Sequence, residues 1–458
     1  MKHLPSPAAR RTLTVLAAGT VAALALAGCS TGDTGSGGSA AGDGSFDSVE
    51  AALEKGGEIT YWSWTPSAEA QVEAFEKEYP NVTVNVVNAG TNNEEYTKLQ
   101  NAIKAGSGAP DVVQIEYYAF PQFALTDAFV DLSQYGFADF EDDYTASTWN
   151  SVTDGDAIYG LPQDSGPMAL FYNKAVFDAA GVTVPTTWDE YYEAAKAIHA
   201  ANPNAYITND TGDAGFATSM IWQAGGKPFE TSGTDVTIDL QDDGSKKWTE
   251  NWNRLVEEDL LAPYGSWSDE WFRALGDGSL ATLVIGAWMP GNLITGAPDG
   301  AGDWRVAPMP TYDGTPATAE NGGGGQAVTT QSKNPELAAG FLWWLNNSED
   351  SISTFLESGG FPSTTAELSS EEFLADAPEY FGGQKINEVL AAAADDVVEG
   401  WSYLPYQVYG NSIFGDTVGQ SYQNGTDLNE GLVTWQDALV EYGNSQGFAV
   451  NKLSLIHI

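Results

Sequence analysis

The sequence predicts an α/β fold in two lobes, each a mostly parallel sheet flanked by helices. Three observations lead there. At 458 residues the chain exceeds what one ordinary core supports. Strand and helix patterns alternate between Glu58 and Ile115, which calls for right-handed crossovers and a parallel sheet. The stretch Gly160–Ala197 then reads as a passage from one lobe to another, followed by a buried strand and a capped helix.

The N-terminus carries a targeting pattern. Lys2, Arg10 and Arg11 precede a short apolar stretch, Thr12 to Ala27, which ends in Leu26-Ala27-Gly28-Cys29. This resembles a bacterial lipobox: residues 1–28 form the leader, and the Cys29 thiol is the nucleophile that takes up a lipid. Cys29 is the sole cysteine of the chain, so no internal disulfide supports the fold. An ordinary secretion signal with an incidental cysteine is the other reading. Ser30 to Ser48 are almost free of apolar residues, and residues 29–56 are expected to be a flexible tether.

Eighteen basic residues against 63 acidic ones leave a net charge of -45. Such a surface repels phosphate backbones, so nucleic acid is not an expected partner. Solubility outside the cell explains the acidity, and an acidic site for a cationic ligand is the sharper alternative.

In the first lobe, Glu58 to Trp64 alternates as a strand, and a helix from Thr65-Pro66 carries Val72, Phe75 and Tyr79 on one face. Asn81 to Asn88 is a second strand, Glu94 to Ala105 a helix, and Pro110 to Ile115 a third strand. In such sheets ligands sit beyond the carboxyl ends of the strands. The residues there are Trp62 and Trp64, then Glu116, Tyr117 and Tyr118. Aromatic rings beside a carboxylate suit a sugar: the C–H face stacks on the ring, and ionised carboxylates hold the hydroxyls. A core role competes for Trp62, and alternation keeps Trp62 and Trp64 from sharing one face of a strand.

Leu161-Pro162 suits a strand end, and the acidic turn Gln163-Asp164-Ser165-Gly166 follows. Asp164 could reach a ligand or simply cap the turn. Met168 to Tyr172 is a buried strand, and Thr187 with Glu190 forms a capping box opening a helix that stops near Asn202-Pro203. Phe216 to Gly226 is an apolar helix closed by two glycines, with Trp222 expected inside it. Phe272 to Gly278 reads as a helix and Ser279 to Trp288 as a buried strand. The run Glu320 to Gln326, with Gly323 and Gly324 at its centre, lacks the Lys-Ser or Lys-Thr of a phosphate loop. It suits a backbone lining that a ligand approaches closely, or a plain turn. Pro335 to Asn346 is an amphipathic helix, and Trp401 to Gly410 is an uncharged aromatic cluster that fits a core or a binding face.

The order LP…G…YNK…F…AG…P-TWDE, from Leu161 to Glu190, resembles the extracellular solute-binding proteins of ABC importers, in the carbohydrate-binding group related to maltose-binding protein. The resemblance continues through the G-x-W ending at Trp288, the helix opening Pro335-Glu336 and the Gly360-Phe361-Pro362 step. It implies a type II periplasmic-binding-protein-like fold with the ligand cleft between lobes. The implied lobes are 57–165 with 306–362, and 166–305 with 363–451; residues 452–458 stand apart as a tail. Crossings fall near Leu161–Gly166, Arg305–Pro310 and Phe361–Ser363. The resemblance further implies sugar stacking on Trp288, Trp401 and Tyr403, opposite Trp64 and Glu116, with hinge closure and delivery to an ABC permease. The chain is expected to act as a monomer, lipid-anchored on the outer face of the cell membrane. Glu116-Tyr117-Tyr118 departs from the more polar set of maltose binders and leaves the sugar open.

No catalytic chemistry assembles from the histidines. His3, His199 and His457 are too few and too scattered for a triad or a His-based zinc site, and no cofactor motif is present. The expected function is capture of a sugar without catalysis, cofactor or metal. A polyamine or other organic cation in the same fold, and a surface-anchored carbohydrate-active enzyme using two carboxylates, are the alternatives.

Overall fold

A computed structural model describes residues 45–453. Cys29, the leader, most of the tether and residues 454–458 lie outside the described residues. The expected tether ends earlier than residue 56. Helix α1 (Asp47–Lys55) buries Val49 and Leu53 in the first-lobe core. Val49, Ala52 and Leu53 repeat at i, i+3 and i+4, a helical period that the Gly- and Ser-rich residues before it obscure.

The chain then builds β1 (Gly57–Trp62), α2 (Ala68–Glu78), β2 (Val82–Val87), α3 (Asn93–Ala105) and β3 (Val112–Glu116). After the short α4 (Ala146–Ser151) it crosses through β4 (Leu161–Asp164) into β5 (Met168–Asn173). The second lobe continues with α5 (Trp188–Ala201), α6 (Ala214–Gln223), the hairpin β6 (Phe229–Ser232) and β7 (Asp235–Ile238), α7 (Asp269–Asp277), β8 (Thr282–Gly286), α8 (Met289–Gly296) and β9 (Trp304–Ala307). The chain returns as β10 (Gly324–Val328) and α9 (Pro335–Asn347), and it ends in α10 (Leu428–Ser445) and β11 (Ala449–Lys452).

The first-lobe sheet runs β2-β1-β3-β10-β4. β1 pairs in parallel with β2 and β3, and β10 slots antiparallel between β3 and β4. Ile59 and Tyr61 face inward with Val82 and Val84, and α2 closes over them with Val72 and Phe75. The second-lobe sheet β8-β5-β9 is antiparallel rather than mostly parallel. This lobe is inserted into the first, so the chain enters and leaves at one end. β5 runs away from the crossing, and β8 and β9 both run back toward it. The Thr187–Glu190 capping box opens α5 with both of its reciprocal hydrogen bonds formed.

The return crossing differs from Arg305–Pro310. β9 pairs with β5 inside the second lobe, and Met309 and Ala319 are buried in that lobe's core. The chain leaves the second lobe at Glu320 to Gly323, so the boundary moves from 306 to the edge of β10. The Pro308-Met309-Pro310 step follows an alternating strand in which Trp304 and Val306 point inward, and that pattern marks a strand end rather than a change of lobe. At the third crossing Ser165 N donates to Phe361 O at 3.0 Å, beside the first. The expected tail also begins later than residue 452. β11 runs through Lys452 in parallel with β7, and Leu453 N donates to Ile238 O at 3.1 Å.

Candidate functional site

A cavity of about 570 Å³ lies between the lobes. The first lobe supplies Tyr144, Ser147 and Asn150 around α4, together with Phe120 and Tyr159. The second lobe supplies Trp222, the β6–β7 hairpin tip Thr231–Gly233, and the segment Val397–Tyr403. The size suits a small organic ligand. Its charged lining residues, Asp154, Asp395 and Glu399, are all acidic.

Three aromatic side chains form one wall. α6 is apolar around most of its circumference, so it is buried and carries Trp222 inward from its last turn. The Trp222 indole N–H donates to Val398 O at 2.5 Å, which fixes the ring. Trp401 lies parallel to it, at 5.2 Å between centroids and 5° between planes. Tyr403 stands edge-on to both, at 6.4 Å from Trp222 and 5.8 Å from Trp401. Tyr403 also packs against the aromatic core at the end of β3, so one side chain touches the interiors of both lobes.

Behind the cavity wall, at the crossings and the end of β3, lie three carboxyl groups: Glu320 is buried, and Asp164 and Glu116 are partly buried. Glu320 is 1% exposed. It accepts hydrogen bonds from Ser147 Oγ at 2.8 Å, Gly166 N at 2.6 Å and Ser165 Oγ at 3.2 Å. Burial raises its pKa, and these three donors oppose the rise. Asp164 accepts from Phe361 N at 3.3 Å, and burial pushes it to about 7. Burial likewise takes Glu116 to about 7, against hydrogen bonds from Tyr118 and Tyr96. Glu320 and Glu116 both help to raise the Tyr403 hydroxyl, after burial, which places the carboxyls near the aromatic wall.

Of the ten residues singled out in the sequence, Trp401 and Tyr403 line the cavity. Trp62 and Trp64 are partly buried together in the cluster at the end of β3, with Trp64 edge-on to Tyr96 at 6.2 Å. β1 ends at Trp62, so strand alternation does not govern Trp64 and does not separate the two rings. Glu116 bonds to the Tyr96 hydroxyl in that same cluster. Tyr117 is buried and donates to Asp164 O at 2.7 Å, tying the end of β3 to the first crossing. Trp288 lies at the second crossing, where its indole N–H donates to Asn321 O at 2.6 Å, and it does not reach the cavity wall. Gly323 and Gly324 serve protein packing. A Cβ on Gly323 (φ +87°) would lie 2.8 Å from the Tyr117 ring, and one on Gly324 would lie 2.6 Å from Ile115 O. Sequence reasoning missed Tyr144, Ser147, Asn150 and Tyr159, which lie in short helices and loops without a periodic signal. It placed Trp222 inside its helix, where it is buried, yet one part of its ring faces the cavity.

Residues 61–351 match the family model of the bacterial extracellular solute-binding proteins. The chain belongs to that family. Among solved structures of solute-binding proteins, it is similar to the ABC-transporter-associated binding protein of B. animalis subsp. lactis, solved with β-1,6-galactobiose. The two are 46% identical with a TM-score of 0.77, over 86% of this chain and 99% of that one. It is also similar to the galacto-N-biose/lacto-N-biose I-binding protein of Bifidobacterium longum, solved with lacto-N-biose, at 26% identity and a TM-score of 0.76 over 87% and 99% of the two chains. The arabinooligosaccharide-binding protein of Halalkalibacterium halodurans is 27% identical over 82% of this chain and 86% of its own. The family is solute-binding and extracellular, and its type II periplasmic-binding-protein-like fold accounts for two lobes threaded by three crossings.

Proposed function

We propose that this protein captures a short neutral oligosaccharide, with a β-linked galactobiose as the first candidate, and delivers it to an ABC permease. The observation that carries the reading is the parallel Trp222–Trp401 pair with Tyr403, set between two lobes in a cavity with no basic lining residue among the described residues. Such rings take the C–H faces of pyranoses, and the hydroxyls of Ser147, Thr231 and Ser402 in the wall take part in hydrogen bonds with the sugar. An acidic wall disfavours uronic and phosphorylated sugars. The relatives named above, two solved with galactobiose and lacto-N-biose and one that binds arabinooligosaccharide, support a neutral sugar of two or more units. Binding from both lobes favours the closed form, and closure signals occupancy to the permease. The reading includes a lipid anchor at Cys29, residence on the outer face of the cell membrane, action as a monomer, and no catalysis.

Calorimetric titration with β-1,6-galactobiose, lactose and arabinotriose, beside spermidine, tests this. A bound sugar at about 100-fold above its Kd stabilises the fold by about 2.7 kcal/mol, which is also visible as a higher Tm. Binding of at least one neutral sugar and none of spermidine is expected. The carboxylates Asp154, Asp395 and Glu399 favour the cation reading instead, and spermidine binding without sugar binding would establish that reading. Release of reducing sugar from a polysaccharide would overturn the assignment as a binder.

A further inference from the structure

We infer that Trp267 is a sugar-stacking platform outside the enclosed cavity, which takes a further residue of an oligosaccharide longer than a disaccharide. This extension rests on the proposed sugar-binding function.

Of the chain's 15 tryptophans, Trp267 alone is exposed, at 53%. Its backbone is unusual as well. Four non-glycine residues have positive φ among the described residues: Asn92, Asp127, Asp259 and Trp267. Asn and Asp tolerate that conformation through their short polar side chains, and a tryptophan at φ +67° does not. Strain of this kind persists where the surroundings enforce it, and it concentrates at ligand contacts.

The surroundings here are built to hold the ring. Asn209 Nδ2 donates to Tyr264 O at 3.3 Å and Ser266 Oγ at 3.0 Å, on one side of Trp267. On the other side Ser268 caps α7, accepting from Trp271 N at 3.1 Å, and the Trp271 indole returns to Asn209 Oδ1 at 2.7 Å. Trp271 and Phe272 buttress Trp267 at 5.3 and 6.1 Å between centroids. Its inner side stacks on Trp288 at 5.8 Å and 24°. The remainder of the ring faces solvent, and among the described residues its indole N–H meets no acceptor. A rigid aromatic face with a free donor at its edge is what a pyranose with its hydroxyls requires.

The platform is also linked to the binding region through the second crossing. Trp288 is tied to Asn321, the next residue is Glu320, and the Glu320 carboxylate holds Ser147 of the cavity wall. The second crossing thus ties the Trp267–Trp288 stack to the cavity wall, and the proposal places the further sugar residue on the solvent side of that stack.

The test uses the full chain and two variants, Trp267→Ala and Trp267→Gly, titrated with β-1,6-galactobiose and with the corresponding tetrasaccharide. Wild type is expected to bind the tetrasaccharide about three- to tenfold more tightly than the disaccharide, the size of one aromatic contact. Both variants should lose that advantage and keep the disaccharide Kd within about twofold. Trp267→Gly should unfold at a Tm no lower than Trp267→Ala, because both lose the ring and glycine alone accepts the left-handed backbone without strain. The inference is overturned if wild type shows no preference for the longer sugar, if the variants keep it, or if both sugars weaken equally. Failure of wild type to bind either sugar would instead remove the proposed function, and this extension with it.

Discussion

Glu95 offers a quantitative check on the electrostatics of the first lobe. It sits on α3, fully buried, and both of its carboxyl oxygens lack a hydrogen-bond partner among the described residues. Burial pushes its pKa up to about 8, against the nearby charge of Lys98. In the unfolded chain a glutamate titrates near 4.3. The folded protein therefore holds one more proton than the unfolded chain between about pH 4.3 and 8. The stabilisation is complete below the unfolded value and is lost as the pH rises through the folded one. Linkage fixes the slope at about 1.4 kcal/mol per pH unit for one proton. Between pH 5 and 7 that is on the order of 3 kcal/mol, a large share of a typical domain's stability. Glu95→Gln removes the proton uptake, and Glu95→Met removes it without adding an amide that also lacks partners. Denaturant unfolding at pH 5, 6, 7 and 8 reads the difference from wild type. Other buried carboxyls, such as Asp210 at about 6, titrate alike in all three proteins and cancel. The expected result is a wild-type curve that falls relative to both variants as the pH rises. Parallel curves would show that Glu95 is paired or hydrated, and the reasoning would fail.

Three further expectations follow from the geometry. Trp401→Ala removes the parallel partner of Trp222 and should weaken sugar binding by at least tenfold in calorimetry, about 1.4 kcal/mol or more, while Trp401→Phe keeps most of it. Gly325→Ala would place a Cβ 2.1 Å from Leu161 O between paired strands, so a loss of about 3 kcal/mol is expected in chemical unfolding. Thr187→Ala breaks the capping box of α5 and should cost about 1 kcal/mol, with ligand affinity unchanged because the helix start lies away from the cavity wall.

The elements with strong periodic patterns were legible. Val82, Val84 and Val86 specify a strand by alternation, and Thr187 with Glu190 specifies a helix start through its local hydrogen bonds. Such signals rest on neighbours in sequence. The crossing at Glu320 was not legible, because Pro308 and Pro310 mark a strand end as well as they mark a change of lobe. The candidate site was legible only in part for a related reason. Trp401 and Tyr403 stood out as a cluster, but Ser147 and Asn150 come from a six-residue helix whose position depends on contacts distant in sequence. The glycines of the crossing show a second ambiguity. Gly323 and Gly324 looked like room for a ligand, and the room is taken by Tyr117 and the backbone of β3. The carboxylate of Glu320 went unnoticed because one acid among 63 carries no signal until folding removes its water.

The last strand bears on how the protein is handled. β11 lies in parallel against β7, and the β6–β7 hairpin tip forms part of the cavity rim. Trimming the chain before Ala449 would strip the hairpin of its outer neighbour and loosen this part of the cavity rim. A chain shortened at that end would thus report a weaker binder than the intact one.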